Sequence, residues 1–178
     1  IGVLDAELEP RFDAVVDGLQ RIAGHARGPF GVRLGSIADG AADALRPLVQ
    51  RGLAWLIVDL EAVDAAADFI RDMRDGGVKV VAEVRAFHRL DAALENRLDG
   101  VLLKGNESGG YVGESSSFIL LQRWLGTTRL PLYVRGGLTP HVAAACSAVG
   151  VAGGALDAQL LLMAEARLPE ALRSLLQN

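Results

Sequence analysis

The stretch of residues 100–114, GVLLKGNESGGYVGE, decides how this chain is interpreted. An aliphatic run at residues 100–103 leads into a polar, glycine-rich loop, and the helical pattern SSFILLQRWL follows. A short aliphatic run, a loop rich in glycine and an amphipathic helix, in that order, predict one βα unit. Loops that follow parallel strands are where such folds bind ligands, and glycine lets the backbone approach a ligand closely.

The same unit recurs about seven times along the chain, at spacings of about 20 to 27 residues. We predict strands at residues 1–4, 30–34, 54–60, 79–84, 100–103, 130–134 and 151–156. Helical patterns separate them, including a short one at residues 87–96 and one at residues 140–149 that Thr139 could cap, and two more, at residues 158–166 and 169–177, end the chain. Charged residues follow almost every strand: Asp5, Arg33, Asp59, Glu83, Lys104 and Arg135. In a closed barrel these side chains would converge on one mouth, so the pattern favours a (β/α) barrel over a doubly wound sheet.

Composition agrees with a parallel α/β protein. The 178 residues suit one domain, 51% of them are hydrophobic, and the mean hydropathy is +0.28. Aromatic residues make up only 5%, whereas buried parallel strands are typically aliphatic. The net charge is −4 and no basic stripe is present, so nucleic acid is not an expected partner.

Other classes of protein find little support. No apolar run is long enough to span a bilayer, and no signal peptide is evident, so we expect no membrane association. The single cysteine, Cys146, fits a reducing compartment, and we expect a cytoplasmic protein. His25, His88 and His141 do not have metal-ligand spacing, so we expect no metal site.

Four segments in order resemble the nitronate monooxygenase (2-nitropropane dioxygenase-like) family of FMN-dependent barrels, which includes flavin enoyl reductases. They are FGVRL at residues 30–34, the strand and E-x-GG loop at residues 99–110, the strand and GGL at residues 130–138, and the strand at residues 151–156. The resemblance implies an α/β fold of the (β/α)8 TIM-barrel type. Residues 1–4 match the family's second strand, so we expect one barrel domain over residues 1–178 that lacks the first βα unit and is a fragment of a longer protein.

The resemblance also implies a cofactor site. In the family the flavin phosphate lies at the ends of the last two strands, which correspond here to Gly136 and Gly137 and to a turn at Gly153 and Gly154. Lys104 at its strand end, with Gly109 and Gly110 in the following loop, completes the expected cofactor-binding set. From the residues alone, the glycines could equally form tight βα turns, and Lys104 could instead pair with Glu83 or Asp59.

Two positions depart from the family's pattern. Tyr111 stands where the family has a histidine base, and Asp157 stands where the family's last strand ends in Gly-Thr. A tyrosine is a poor base near neutral pH, but its phenol can donate a proton, so Tyr111 is the candidate catalytic residue for enoyl reduction. From the residues alone, Tyr111 could instead be a loop aromatic that covers the barrel mouth. A carboxylate at position 157 would repel a phosphate.

Two hypotheses about function therefore stand. The first is an FMN-dependent oxidoreductase acting on an acyl or nitro compound, with a small-molecule or acyl-thioester substrate. The second is a catalytically degenerate barrel that serves as a structural or docking domain. The GGYVGE loop and the helix after it also resemble barrel domains of polyketide or polyunsaturated-fatty-acid megasynthases, whose other domains would then be its partners.

Overall fold

The computed structural model describes residues 1–163, 165–166 and 168–176. Within them, seven parallel strands form one sheet in sequential order, β1 to β7. The strands are β1 Gly2–Ala6, β2 Phe30–Leu34, β3 Leu53–Asp59, β4 Lys79–Val84, β5 Gly100–Lys104, β6 Leu132–Arg135 and β7 Gly153–Ala155. The predicted strand order is confirmed, and so is the fold of the (β/α)8 type.

Helices follow the strands on the outside of the sheet. They are α1 Phe12–His25, α2 Ala41–Val49, α3 Ala67–Asp75, α4 Ala92–Glu95, α5 Ser117–Trp124, α6 Pro140–Ala148 and α7 Glu170–Leu176. Two 3₁₀ helices cover Leu60–Ala62 and Ala158–Leu162. Thr139 caps α6 as expected, since its Oγ1 accepts a hydrogen bond from the Val142 N–H at 3.2 Å.

The sheet is strongly curled. A side chain of β6, Arg135, donates a hydrogen bond at 2.8 Å to Asp5 of β1. Five strand spacings of about 4.8 Å separate these strands along a flat sheet, which is further than the two side chains can reach. The carboxyl ends of the strands therefore face one another around a common mouth. In the described residues β1 pairs only with β2 and β7 only with β6, so the sheet has two free edges.

The two faces of the sheet have different contents. The outer face packs on the helices through aliphatic residues, represented by Val32, Val80 and Leu103, which are all fully buried. The inner face holds a small apolar layer of Ile57, Val81 and Leu102. Above that layer, toward the carboxyl ends of the strands, the inner side chains are charged.

Some predicted helices differ from those observed. The helix expected at residues 87–96 covers only Ala92–Glu95, where the Asp91 carboxylate caps it by accepting from the Leu94 N–H. Phe87 lies outside it and stacks edge-on against Trp124, with ring centroids 5.6 Å apart. The helix expected at residues 158–166 is a 3₁₀ helix over Ala158–Leu162, and position 164 lies outside the described residues. The last helix is α7, and position 177 of the expected range also lies outside them.

None of the helices in the described part of the chain has the length and apolar content needed to cross a bilayer.

Candidate functional site at the barrel mouth

Charged side chains at the strand ends meet inside the mouth, as their positions in the sequence predict. The ion pairs there join Asp5, Glu7, Arg33, Asp59, Glu83, Arg85, Lys104, Arg135 and Asp157. Isolated charges inside a protein are very costly, so such groups are found paired. We call this group the mouth network.

Arg33 lies at the centre of the mouth network. Its side chain is 1% exposed, and its Nη2 donates to Glu83 at 2.7 Å and to Glu7 at 3.1 Å. Asp59 lies slightly further from the same nitrogen, at 3.4 Å. Burial alone would lower the pKa of Arg33, but the hydrogen bond to Glu83 and the surrounding carboxylates raise it above its ordinary value. Arg33 is therefore a permanent positive charge that holds three carboxylates together.

Lys104 is completely buried and is held by carboxylates of this chain. Its Nζ donates to Glu7 Oε1 at 2.9 Å and Oε2 at 2.7 Å, and it lies 3.7 Å from Glu83 Oε1. The salt-bridge interpretation of Lys104 named Glu83 and Asp59 as partners, and the strongest partner is instead Glu7. Sequence reasoning missed Glu7 as a site residue, although a glutamate just after β1 is a signal of the same kind as Lys104.

The loop between β5 and α5 folds over the mouth. The Tyr111 N–H donates to Glu7 Oε1 at 3.2 Å, which ties the loop to the mouth network. Gly110 has a φ of +79°, and a Cβ there would collide with Glu7 Oε2. A Cβ on Gly113 would collide with the Arg85 carbonyl oxygen. The glycines of this loop thus allow it to lie directly on the residues below it.

Tyr111 itself points away from this contact. The residue is 62% exposed, and among the described residues its hydroxyl has no hydrogen-bond partner. The backbone of Tyr111, rather than its phenol, makes the contact with the mouth network. The structure therefore places the candidate catalytic residue at the rim of the mouth.

The last two strand ends present carboxylates of the chain itself. The Asp157 carboxylate accepts from Gly109 N–H at 3.2 Å, from Arg135 Nε at 3.1 Å and from its neighbouring Ala158 N–H at 2.6 Å. Burial would raise the pKa of Asp157, but the hydrogen bonds from Ala158, Arg135 and Gly109 lower it below its ordinary value. Asp157 is thus an ionised group that already satisfies these donors.

Gly136 and Gly137 form the turn after β6, with φ of +107° and +60°. The Glu107 carboxylate lies against both, because a Cβ built on them would come 3.3 and 3.6 Å from its oxygens. Glu107 also anchors the loop, since its Oε2 accepts from the Ser117 N–H at 3.0 Å. Beside the same turn the buried Ser108 hydroxyl has no hydrogen-bond partner among the described residues. That hydroxyl is available to donate a hydrogen bond to a ligand at the turn.

Gly153 and Gly154 do not form the expected turn. They lie inside β7, where Gly153 faces the ring of Tyr133 and Gly154 faces Leu138. β7 pairs with β6 as far as Ala155, so the chain leaves the sheet only after that residue, at residues 156–158. The description of Gly153 and Gly154 as a turn was therefore wrong.

These observations test whether the residues present fit an FMN phosphate. The backbone of the Gly136 turn has a suitable shape, but the carboxylates of Glu107 and Asp157 lie at the two strand ends where the phosphate would bind. Like charges at such separations repel by several kcal/mol, about 4 kcal/mol at 4 Å near a protein surface. The described arrangement does not fit the phosphate group.

Cavities occur at both ends of the sheet. A cavity of about 50 Å³ lies between the ends of β3 and β4, beside Asp59, Glu83 and His88. Ligand pockets for cofactors and substrates typically measure about 300 to 1,000 Å³. A groove of about 610 Å³ lies at the opposite end of the sheet, around Lys79 and Arg97. In the described residues no cluster of His, Cys, Asp and Glu has the arrangement of a metal site.

Comparison with known proteins supports the fold. No protein-family model matches the chain. One relative is (3aS,4S,5R,7aS)-5-hydroxy-7a-methyl-1-oxo-octahydro-1H-indene-4-carboxyl-CoA dehydrogenase from Rhodococcus jostii. This chain is 26% identical to it over 146 residues, which cover 82% of this chain and 40% of that relative. The protein of the same name from Mycobacterium tuberculosis is 23% identical over 177 residues, which cover 97% of this chain and 49% of that relative. The chain thus spans less than half the length of these relatives.

Several solved structures share the fold of this chain. FabK from Thermotoga maritima superposes with a TM-score of 0.75 at 19% identity, covering 98% of this chain and 55% of that one. Nitroalkane oxidase from Streptomyces ansochromogenes also gives a TM-score of 0.75 at 19% identity, covering 100% of this chain and 63% of that one. At this level of identity the similarity shows the shared barrel-type fold.

Proposed function

We propose that this chain is a barrel-type domain whose mouth is closed by its own side chains and covering loop, which we call a sealed barrel although the sheet keeps two free edges, and that it serves as a structural or docking domain of a larger protein. The observation that carries the proposal is the mouth network, in which Lys104 and Arg33 are buried and paired with Glu7 and Glu83. In a barrel enzyme the carboxyl ends of the strands hold the ligand. In this chain the side chains at those strand ends form ion pairs with one another instead.

The covering loop supports this role. The contact between Tyr111 N–H and Glu7 closes the mouth from above, and Gly110 and Gly113 leave no room between the loop and the residues beneath. Opening the mouth would expose Glu7 and Lys104, and it would also break the hydrogen bond that ties down the loop. Both changes would reduce the binding free energy of any ligand that enters.

The larger protein that the sequence suggests is a polyketide or fatty-acid megasynthase, with the neighbouring domains as partners. The support is the resemblance of the GGYVGE loop and the following helix to barrel domains of such proteins. The exposed apolar side chains of Tyr111 (62%) and Phe118 (65%) lie on that segment. A neighbouring domain would cover them.

A second candidate is an FMN-dependent oxidoreductase acting on an acyl or nitro compound. A specific observation favours it: the two relatives that match most of this chain are named as dehydrogenases of a carboxyl-CoA compound, which is an acyl thioester. The solved structures of similar fold include FabK and a nitroalkane oxidase. For this function Glu107 and Asp157 would have to leave the two strand ends, and Tyr111 at the rim would donate the proton.

One measurement separates the two candidates. The purified protein is mixed with FMN, passed through a desalting column, and examined by visible absorption spectroscopy. We expect a folded, colourless protein. A stoichiometric flavin spectrum after desalting would refute the sealed barrel and favour the oxidoreductase, whose substrate would then be sought among enoyl thioesters and nitronates by following flavin oxidation and reduction.

A further inference from the structure

The turn after β7 holds a group of donors that is normally associated with oxyanions. Gly109 N–H, Ala158 N–H and the Arg135 Nε converge within 3.2 Å of one carboxylate, that of Asp157. Backbone N–H groups beside a guanidinium are a common way to bind phosphate. These three donors come from three separate segments of the chain, the covering loop, β6 and the turn after β7.

The carboxylate is well enclosed in this position. The Asp157 side chain is 13% exposed, and that of Arg135 is 10% exposed. The turn is further fixed by Gln159, whose side chain accepts from the Asp157 N–H at 3.1 Å and donates to the Leu138 carbonyl at 3.0 Å. Asp157 therefore does not reach the donors by chance from a loose surface loop.

We propose that Asp157 is a built-in anion that occupies an oxyanion site of the chain, and that removing its carboxylate opens this site to inorganic phosphate. The proposal goes beyond the sealed barrel, because it assigns the closure of this strand end to one side chain. It also explains the misfit of the flavin phosphate: the donors are present, and the chain fills them itself.

The neighbouring charges limit how tightly the opened site would bind. Arg135 keeps two other carboxylate partners, Asp5 at 2.8 Å and Glu83 at 3.5 Å. The guanidinium would therefore offer a phosphate only the edge that Asp157 now uses. We expect weak binding, detectable at millimolar phosphate, rather than a tight site.

The experiment measures phosphate binding by isothermal titration calorimetry at constant ionic strength. Asp157→Gly removes the carboxylate, and Asp157→Asn removes the charge while keeping the shape. The control, Asp17→Asn, makes the same charge change at an exposed position of α1 where no partner is found in the described chain. We expect Asp157→Gly to bind phosphate at least tenfold more tightly than the wild type, and Asp17→Asn to behave as the wild type does.

Each outcome decides the proposal. If Asp157→Gly is folded, as judged by circular dichroism, and binds phosphate no more tightly than the wild type, the proposal is overturned. If Asp157→Gly does not fold, the Asn variant decides by the same comparison, because a gain of less than threefold over Asp17→Asn would overturn the proposal. Flavin retention by the wild type would refute the sealed barrel, whereas a missing gain of phosphate binding in the variants refutes only the role of Asp157.

Discussion

Replacing Lys104 with methionine tests the mouth network directly. The substitution keeps an unbranched side chain that is shorter by one heavy atom, and it removes the cation from a site with no exposure. Glu7 would keep Arg33 and the Tyr111 N–H as partners, and Glu83 would lose a charge 3.7 Å away. Breaking a buried ion pair by removing one partner typically costs about 3 to 5 kcal/mol, because a charge is left without compensation.

A loss of this size is large for the whole molecule. Domains of this length unfold with about 5 to 15 kcal/mol, and each kcal/mol shifts Tm by about 2 to 4 °C. We therefore expect Lys104→Met to lower Tm by about 6 to 20 °C, measured by thermal and urea unfolding monitored by circular dichroism. The matched control is Lys79→Met, because Lys79 is exposed and lies 5.4 Å from the Trp55 ring centroid. It should cost no more than about 1 kcal/mol.

A double-mutant cycle gives the sharper readout. Glu7→Gln combined with Lys104→Met removes both partners of the shortest lysine contact, so the double variant should be less destabilised than the sum of the two single variants. A cost below about 1 kcal/mol for Lys104→Met, or additive effects in the cycle, would refute the view that the buried charges hold the mouth closed.

Three further perturbations probe the loop and the turn. Gly110→Ala should destabilise the protein by about 2 kcal/mol or more in urea unfolding, since φ is +79° and a Cβ meets Glu7, whereas Gly109→Ala, with open space, should change it by less than about 0.5 kcal/mol. Because hydrogen bonds lower the pKa of Asp157 in the fold, its stabilising contribution is present above pH about 4 and is lost as the pH falls through the folded pKa; urea unfolding of Asp157→Asn should converge on the wild type there. Tyr111→Phe should leave stability within about 0.5 kcal/mol, and if FMN supports turnover, the same variant should lower it; an unchanged rate would remove the phenol from that mechanism.

The strands and the charges at their ends could be read from the sequence because both are local patterns. A buried parallel strand is aliphatic on both faces, so FGVRL and GVLLK stand out against their surroundings. The predicted strand of residues 130–134 is followed by the paired glycines Gly136 and Gly137, and the structure has the turn there. Convergence of the charges then follows from the parallel order of the strands.

The partners of those charges could not be read in the same way. Lys104 and Glu7 are separated by 97 positions, and Gly109 and Asp157 by 48, so which side chains meet depends on how far the sheet curls. The role of Gly110 likewise becomes visible only in the fold, where a Cβ on Gly110 would meet the Glu7 carboxylate beneath the loop. The predicted helix at residues 87–96 was longer than the observed Ala92–Glu95, because Phe87 packs on Trp124 instead of continuing a helix.

The balance of charges at the mouth influences which ligands could bind there. The ion pairs join five carboxylates, those of Asp5, Glu7, Asp59, Glu83 and Asp157, with four cations, Arg33, Arg85, Lys104 and Arg135. These ion-paired groups therefore sum to one net negative charge before any ligand arrives, and the Glu107 carboxylate beside the Gly136 turn adds to it. A phosphate monoester would add nearly two more in a region of little solvent. The charge balance consequently favours a neutral or cationic ligand where no carboxylate is displaced, and an anionic ligand is favoured only once Asp157 or Glu107 has moved.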